Sequence, residues 1–248
     1  QFSSLSSTTA KPEWLEELLC SFSTSSSSAA PPSLSIVFPT AAGVGLSNEG
    51  WNAGRCIPCS EKNANMLLKN LSALRSAGKD CTMSIWDGGD GSCGASERVC
   101  AMPHVKTWAR VSPEDRRVAW ALIGAQNLSQ AAWGKLEKKG TQLYIKSWEV
   151  GVLILPSLQT PAADGTPPVL VASPRPGDQA CAGAVICPLP YCLPPKPYGE
   201  MDRIWQTDSP ALVNNLPYDR FGLHWSRGNN LDPESASLFG PRAHSKVF

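Results

Sequence analysis

The sequence has 248 residues, with 22 Lys and Arg against 21 Asp and Glu, which gives a formal net charge of +1. Hydrophobic residues make up 42%, enough for a core, while charged residues make up only 17%. A nearly neutral chain has no overall attraction to nucleic acid, so any nucleic-acid site must be local. No apolar run approaches the roughly 18 residues of a membrane-spanning helix, and we expect no membrane partner.

The first half of the sequence predicts two helices and a strand. Pro12 in the first turn, acidic residues and helical apolar spacing predict a helix over 12–22, and similar spacing predicts another over 61–77. The apolar run 34–38 predicts a strand. The Ser-rich stretch 25–32 and the Gly- and Asp-rich stretch 87–96 predict loops.

The second half predicts strands around a helical turn. Residues 118–124 read as a continuous apolar strand in a sheet covered on both faces, and 150–155 as a second buried strand. Between them, 127–133 predicts a helical turn and 143–148 alternates. Beyond Pro161 the chain is Pro-rich, with short strands predicted near 169–172 and 185–189. This succession predicts an α/β layered fold with long Pro- and Gly-rich loops.

The nine cysteines are odd in number and irregularly spaced, which favours free thiols in a reducing compartment. Cys56 and Cys59 form a C-x-x-C without a second pair at zinc-site spacing. This lone pair does not suffice to predict a metal site, and we predict no metal and no cofactor.

Four polar residues together suggest chemistry on phosphate. On an extended segment, His104 and Lys106 project from the same face, so a cation would lie beside a proton donor of near-neutral pKa. Asn127 follows the strand 118–124 at the open edge of the sheet, where α/β proteins place ligands. Glu149 borders the next strand and could orient an imidazole. Each also has a plain structural interpretation, such as helix capping by Asn127 or an outward-facing position for Glu149.

In combination these residues resemble the His-Lys-Asn form of the phospholipase D superfamily motif. The surrounding sequence is similar to the second catalytic half of the tyrosyl-DNA phosphodiesterases. The similarity is dense over 102–157 and is carried by four segments: Met102 to Thr107, Asn127 to Gly134, Leu136 to Leu143 and Ser147 to Leu153.

This resemblance implies a single α/β/α sandwich of phospholipase D type with a mixed central sheet. It implies a catalytic half-domain over 1–225, followed by an irregular tail over 226–248. In the family, the histidine of the first half forms a phosphohistidine with a 3′-phosphotyrosyl DNA adduct, such as stalled topoisomerase I. His104 would then act as the general acid and base, Lys106 and Asn127 would hold phosphoryl oxygens, and Glu149 would orient a catalytic imidazole.

The resemblance also implies DNA contacts. Ser4 and Ser7 match a loop that touches the DNA backbone, Lys62 matches a basic contact, and Trp205 matches a tryptophan near the strand path. The segment after Asn127 is expected to contact phosphate; its members are Ser129, Gln130 and Ala131. Gln130 departs from the pattern, since family members often have Lys there. Trp108 and Trp133 are expected to pack in the core.

No second H-x-K motif with a downstream strand and Asn occurs in the chain. We therefore expect a C-terminal half that lacks the nucleophile, is inactive or nearly so alone, and has the N-terminal half and 3′-end or single-stranded DNA as partners. Two alternatives stay open: a homodimeric single-motif nuclease, and a catalytically silent single-strand binding module. The family implies a nuclear location, with mitochondria as the alternative.

Overall fold

A computed structural model describes seven parts of the chain: 12–22, 33–88, 99–161, 163–172, 184–208, 218–223 and 225. The predicted loop over 25–32, most of the predicted loop over 87–96 and the predicted tail over 226–248 lie outside these residues.

The helices confirm the amphipathic patterns in the sequence. Ser60 caps the second predicted helix through its side-chain oxygen, which accepts from the backbone N–H of Asn63 at 3.2 Å. Within the described ranges, no helix has the length and apolarity to cross a bilayer. The helices are α1 (Pro12–Ser21), α2 (Ala41–Gly45), α3 (Glu61–Ser76) and α4 (Gln130–Trp133), with 3₁₀ helices over Gly50–Cys56 and Pro156–Leu158.

The strands form parallel and antiparallel ladders, which confirms the α/β class. β1 pairs with β2 and β8 with β9, both in parallel; β3, β4 and β7 form an antiparallel sheet, and β5 and β6 a hairpin. The ladders are separate in the described residues rather than one continuous sheet. The strands are β1 (Leu34–Phe38), β2 (Cys81–Ile85), β3 (Lys106–Val111), β4 (Val118–Gly124), β5 (Lys135–Glu137), β6 (Gln142–Tyr144), β7 (Gly151–Ile154), β8 (Val169–Ala172) and β9 (Ala184–Cys187).

Two cores meet at β1. Ile36 and Phe38 belong to the core that α1 and α3 cover, whereas Val37 belongs to the core formed with β4 and β8. Because successive strand residues point to opposite faces, β1 forms a middle layer between helices and the second set of strands. Trp108 and Trp133 are partly buried and pack against the first core, as predicted.

Burial of β4 and β7 was predicted incorrectly. Val118 and Ala121 of β4 are buried, but Ile123 on the same strand is exposed, so β4 is not covered on both faces. Val152 and Leu153 of β7 are exposed, although an apolar strand there was expected to be buried. Val152 and Leu153 are successive strand residues and so point to opposite faces, and the exposure of both means that the described residues cover neither face of β7, the last strand of its sheet.

Candidate functional site

The antiparallel sheet brings three distant chain segments to one edge. Lys106, the first residue of β3, pairs with Gly124, the last residue of β4, and Gly124 pairs with Gly151, the first residue of β7. His104, Asn127 and Glu149 each lie within three residues of one of these strand ends. The sheet register therefore places the four predicted catalytic residues along the same edge: His104, Lys106, Asn127 and Glu149.

His104 and Lys106 are in direct contact, as their spacing predicted. The Lys106 Nζ lies 3.3 Å from Nδ1 and 3.4 Å from Nε2 of the His104 ring, and it donates to the His104 backbone carbonyl at 2.9 Å. The carbonyl bond fixes the ammonium beside the imidazole. His104 itself is exposed, so its ring is accessible to a ligand.

Lys106 is a buried cation, with only 7% of its surface exposed. Burial lowers the pKa of the Lys106 ammonium, because the charged form loses solvation, and the nearby Glu149 carboxylate raises it in part. This attraction shows that Glu149 acts on the same site electrostatically. A cation that is poorly solvated and held by a backbone carbonyl is suited to bind an anion at this edge.

Two glycines allow β4 and β7 to approach closely at the site. A Cβ on Gly124 would lie 2.8 Å from the Gly151 Cα, 2.8 Å from the Val150 carbonyl oxygen, and in collision with Gln126 Oε1. The Gln126 side chain thus lies over this pair, and its Oε1 is buried without a hydrogen-bond partner among the described residues. The sequence reasoning missed Gln126; glycines at both strand ends were the signal that could have located it.

The segment after Asn127 is held by local hydrogen bonds. The Ser129 side-chain oxygen accepts from the Ala132 N–H at 3.2 Å and caps α4, and Ser129 is buried. Ala131 is half-buried, and its carbonyl accepts from the N–H groups of Lys146 and Ser147 at 3.1 and 2.8 Å. Gln130 is the half-buried first residue of α4. Their contacts with phosphate stay predictions.

The remaining predicted DNA contacts do not join this site. Ser4 and Ser7 lie outside the described residues. Lys62 is exposed near the start of α3, and no contact in the described part of the chain connects it with His104. The structure contradicts the prediction for Trp205.

Trp205 is a core residue with no exposed surface. Its Nε1 donates to the Ile57 carbonyl at 2.9 Å, and its ring stacks on Trp51 with centroids 6.0 Å apart. A side chain with no exposed surface and with its polar atom bonded in the interior has no surface to offer a nucleotide.

The two cysteines of the C-x-x-C differ in environment. Cys56 is exposed, whereas Cys59 is buried, and burial together with the Asp208 carboxylate raises the pKa of the Cys59 thiol to about 12. Among the described residues, no three His, Cys, Asp or Glu side chains form a group that could hold a metal ion.

The arrangement has the components of a phosphate site. It combines an accessible imidazole, a fixed ammonium in contact with it, an amide on the adjacent loop and a carboxylate that interacts with the ammonium. Such a set can bind phosphoryl oxygens and move a proton to or from an oxygen bonded to phosphorus.

Comparisons with known proteins point to one family. Residues 1–199 match the family model described as tyrosyl-DNA phosphodiesterase. The chain is 34% identical over 254 residues to tyrosyl-DNA phosphodiesterase 1 of Arabidopsis thaliana, and 31% identical over 180 residues to that of Drosophila melanogaster. The first alignment covers 92% of this chain and 38% of the Arabidopsis protein; the second covers 71% of this chain and 27% of the Drosophila protein.

The fold is similar to that of the yeast tyrosyl-DNA phosphodiesterase. The two structures superpose with a TM-score of 0.52 at 17% sequence identity, over 84% of this chain and 49% of the yeast chain. This similarity confirms the predicted α/β fold of phospholipase D type. The chain spans about half the length of that yeast enzyme, and less of the two curated relatives.

Proposed function

This chain belongs to the tyrosyl-DNA phosphodiesterase family, and we propose that it supplies the proton-transferring half of a site that hydrolyses phosphodiesters at DNA 3′ ends. The substrate class is a 3′-phosphotyrosyl or peptide adduct, such as a stalled topoisomerase I, and other 3′-blocking groups. We further propose a nuclear location, with mitochondria as the alternative.

One observation carries the proposal: the Lys106 ammonium lies 3.3 Å from the His104 ring and is buried. A cation fixed beside an accessible imidazole binds the phosphoryl oxygens and leaves the imidazole directed at an oxygen of the same group. The carboxylate of Glu149 and the amide of Asn127, at the same sheet edge, supply an imidazole-orienting group and a neutral donor.

The proposed reaction needs a second imidazole, which we assign to a first His-Lys-Asn set outside this chain. That imidazole attacks phosphorus, the bond to the tyrosine oxygen breaks, and His104 gives its proton to the departing phenolate. Water then attacks phosphorus and gives a proton to His104, and the phosphorus–nitrogen bond breaks to release a 3′ phosphate. Lys106 and Asn127 hold the phosphoryl oxygens through both steps.

The test follows release of tyrosine from a 3′-phosphotyrosyl oligonucleotide. We expect no turnover by this chain alone, and turnover when it is joined to the preceding part of the Arabidopsis relative. A His104→Ala substitution in the joined protein should lower the rate by at least about 100-fold, the usual contribution of a general acid. Turnover by the monomeric chain alone that is lost in His104→Ala would contradict the half-site proposal.

A binding measurement on this chain covers the case in which the joined protein does not fold. A 3′-phosphorylated oligonucleotide should bind more tightly than its 3′-hydroxyl counterpart, and Lys106→Ala should abolish the difference. Sedimentation of the same sample separates the alternatives: a nuclease dimer should sediment as two copies and cleave DNA, whereas a silent module should bind both oligonucleotides equally.

A further inference from the structure

Three exposed side chains with an aromatic–basic–aromatic order run from the last residue of β6 toward the candidate site. Tyr144 is about half exposed, Lys146 is exposed, and Trp148 is fully exposed. We call these three residues the stripe. A tryptophan with its whole surface in water has none of the packing that normally accounts for a residue of this type.

The two apolar neighbours of Tyr144 are also exposed, Leu143 to 60% and Ile145 to 49%, but each contacts a glycine. The side chains of Leu143 and Ile145 lie against Gly134, where an added Cβ would come within 2.7 and 2.9 Å of them. Tyr144, between them in the chain, pairs with Lys135 across the β5–β6 hairpin, and the Lys135 Nζ lies over its ring at 5.8 Å from the centroid. Leu143 and Ile145 thus contact the glycine that ends α4, and the Lys135 ammonium lies over the Tyr144 ring.

The stripe ends at the candidate site. The N–H groups of Lys146 and Ser147 both donate to the Ala131 carbonyl, which holds this segment against the turn that follows Asn127. The residue after Trp148 is Glu149, which acts electrostatically on Lys106. The stripe is therefore adjacent in the chain to the candidate site and is held beside the turn that forms part of it.

The charge around the stripe is positive although the whole chain is nearly neutral. Residues 135–149 contain four lysines against two glutamates. One lysine, Lys135, is paired with Glu137 at 2.8 Å, while Lys138 and Lys139 are exposed in the hairpin turn. Within the described residues, no carboxylate lies at ion-pair distance from Lys146.

We propose that the stripe binds unpaired nucleotides of a DNA strand whose 3′ phosphate occupies the candidate site. Bases stack on exposed aromatic side chains whatever their sequence, and lysines between the aromatics contact the phosphates. A protein partner would need to bury Lys146 and its neighbouring lysines, so the charge favours a polyanion. The inference rests on the proposed function for the position of the 3′ end.

The test measures binding of a fluorescent 3′-phosphorylated ten-nucleotide oligothymidylate to this chain in a His104→Ala background, which excludes turnover. Trp148→Leu should weaken binding at least about fivefold, and Trp148→Phe should restore most of the affinity, because stacking needs a ring. Lys146→Ala should reduce the slope of log affinity against log salt concentration by about 0.7, the value for one phosphate contact in a single strand.

Two matched substitutions serve as controls. Met201→Ala removes an exposed apolar side chain and Lys69→Ala an exposed lysine, both outside the stripe, and neither should change affinity by more than about twofold. Equal affinity of the Leu and Phe variants, or an unchanged salt slope for Lys146→Ala, would overturn the proposal. If Trp148→Leu instead weakens association with the N-terminal part of the Arabidopsis relative, added as a separate chain, while oligonucleotide binding is unaffected, the stripe is a protein interface.

The experiment also separates this inference from the proposed function. The stripe predicts a dependence on Trp148 for oligonucleotides with either a 3′ phosphate or a 3′ hydroxyl, whereas the candidate site predicts a preference for the phosphate. Loss of that preference with the Trp148 dependence intact would reject the phosphate site and retain the stripe as a single-strand binding surface.

Discussion

Substitution of Gly124 by Ala tests how closely β4 and β7 must approach at the site. The added Cβ would meet two kinds of neighbour: the Gln126 side chain, which can rotate away, and the backbone of Val150 and Gly151 at 2.8 Å, which cannot. An ordinary contact begins near 3.4 Å, so the strands must separate by about half an ångström. Overpacking of this size costs about 1–3 kcal/mol of unfolding free energy.

For a chain of this length, the cost corresponds to a fall in Tm of about 3 °C per kcal/mol, measurable by thermal unfolding followed by near-UV circular dichroism. Gly199→Ala is the matched control, because a Cβ there meets only the Asp202 carboxylate at 3.4 Å. A double variant with Gln126→Ala should recover part of the loss but not all of it. If Gly124→Ala and Gly199→Ala unfold within 1 °C of each other, the close approach of the two strands is wrong.

Two further predictions use the ionisable groups. Burial lowers the pKa of Lys106, so the folded protein releases this proton at a lower pH than the unfolded chain does. The free energy of unfolding therefore rises with pH between the pKa of Lys106 in the folded protein and its pKa in the unfolded chain, about 10.4. The change in urea midpoint between pH 7 and pH 10 should therefore differ between the wild type and Lys106→Met. An equal change in the two proteins would contradict a buried charge at Lys106. Iodoacetamide at pH 8.5 should alkylate the exposed Cys56 rapidly and leave Cys59 unmodified until unfolding, since the pKa of Cys59 is raised to about 12. Both cysteines lie in the tryptic peptide 56–62, so fragmentation of that peptide in the mass spectrometer shows which of them carries the label.

Local patterns in the sequence predicted the secondary structure where one face of an element is apolar. The helical spacing over 61–77 is a property of neighbouring residues, and the helix lies where it indicates, with Ser60 as the cap that the structure adds. The burial of β7 depends instead on which elements cover its two faces. An apolar run such as 150–155 has the same composition whether or not its faces are covered, so the sequence could not distinguish the two cases.

In the candidate site, too, local features could be predicted from the sequence and long-range contacts could not. The contact of His104 with Lys106 follows from a spacing of two residues, which any extended segment converts into proximity. The position of Trp205 follows from contacts with Trp51 and Ile57, about 150 residues earlier in the chain, and a likeness of sequence cannot report on packing across that distance. Gln126 was missed because its significance depends on the space left by glycines in two strands.

The Asp219 carboxylate has a consequence for the order in which the protein can fold during synthesis. It accepts hydrogen bonds from the backbone N–H groups of Trp51, Phe221 and Leu223, and so joins a late segment to the 3₁₀ helix near the start of the chain. The Trp51 N–H is therefore left to water until residue 219 has left the ribosome. The helical core that contains Trp51 can collapse earlier, but it closes only after residue 219 has been synthesised, and until then Trp51 is open to chaperones and proteases.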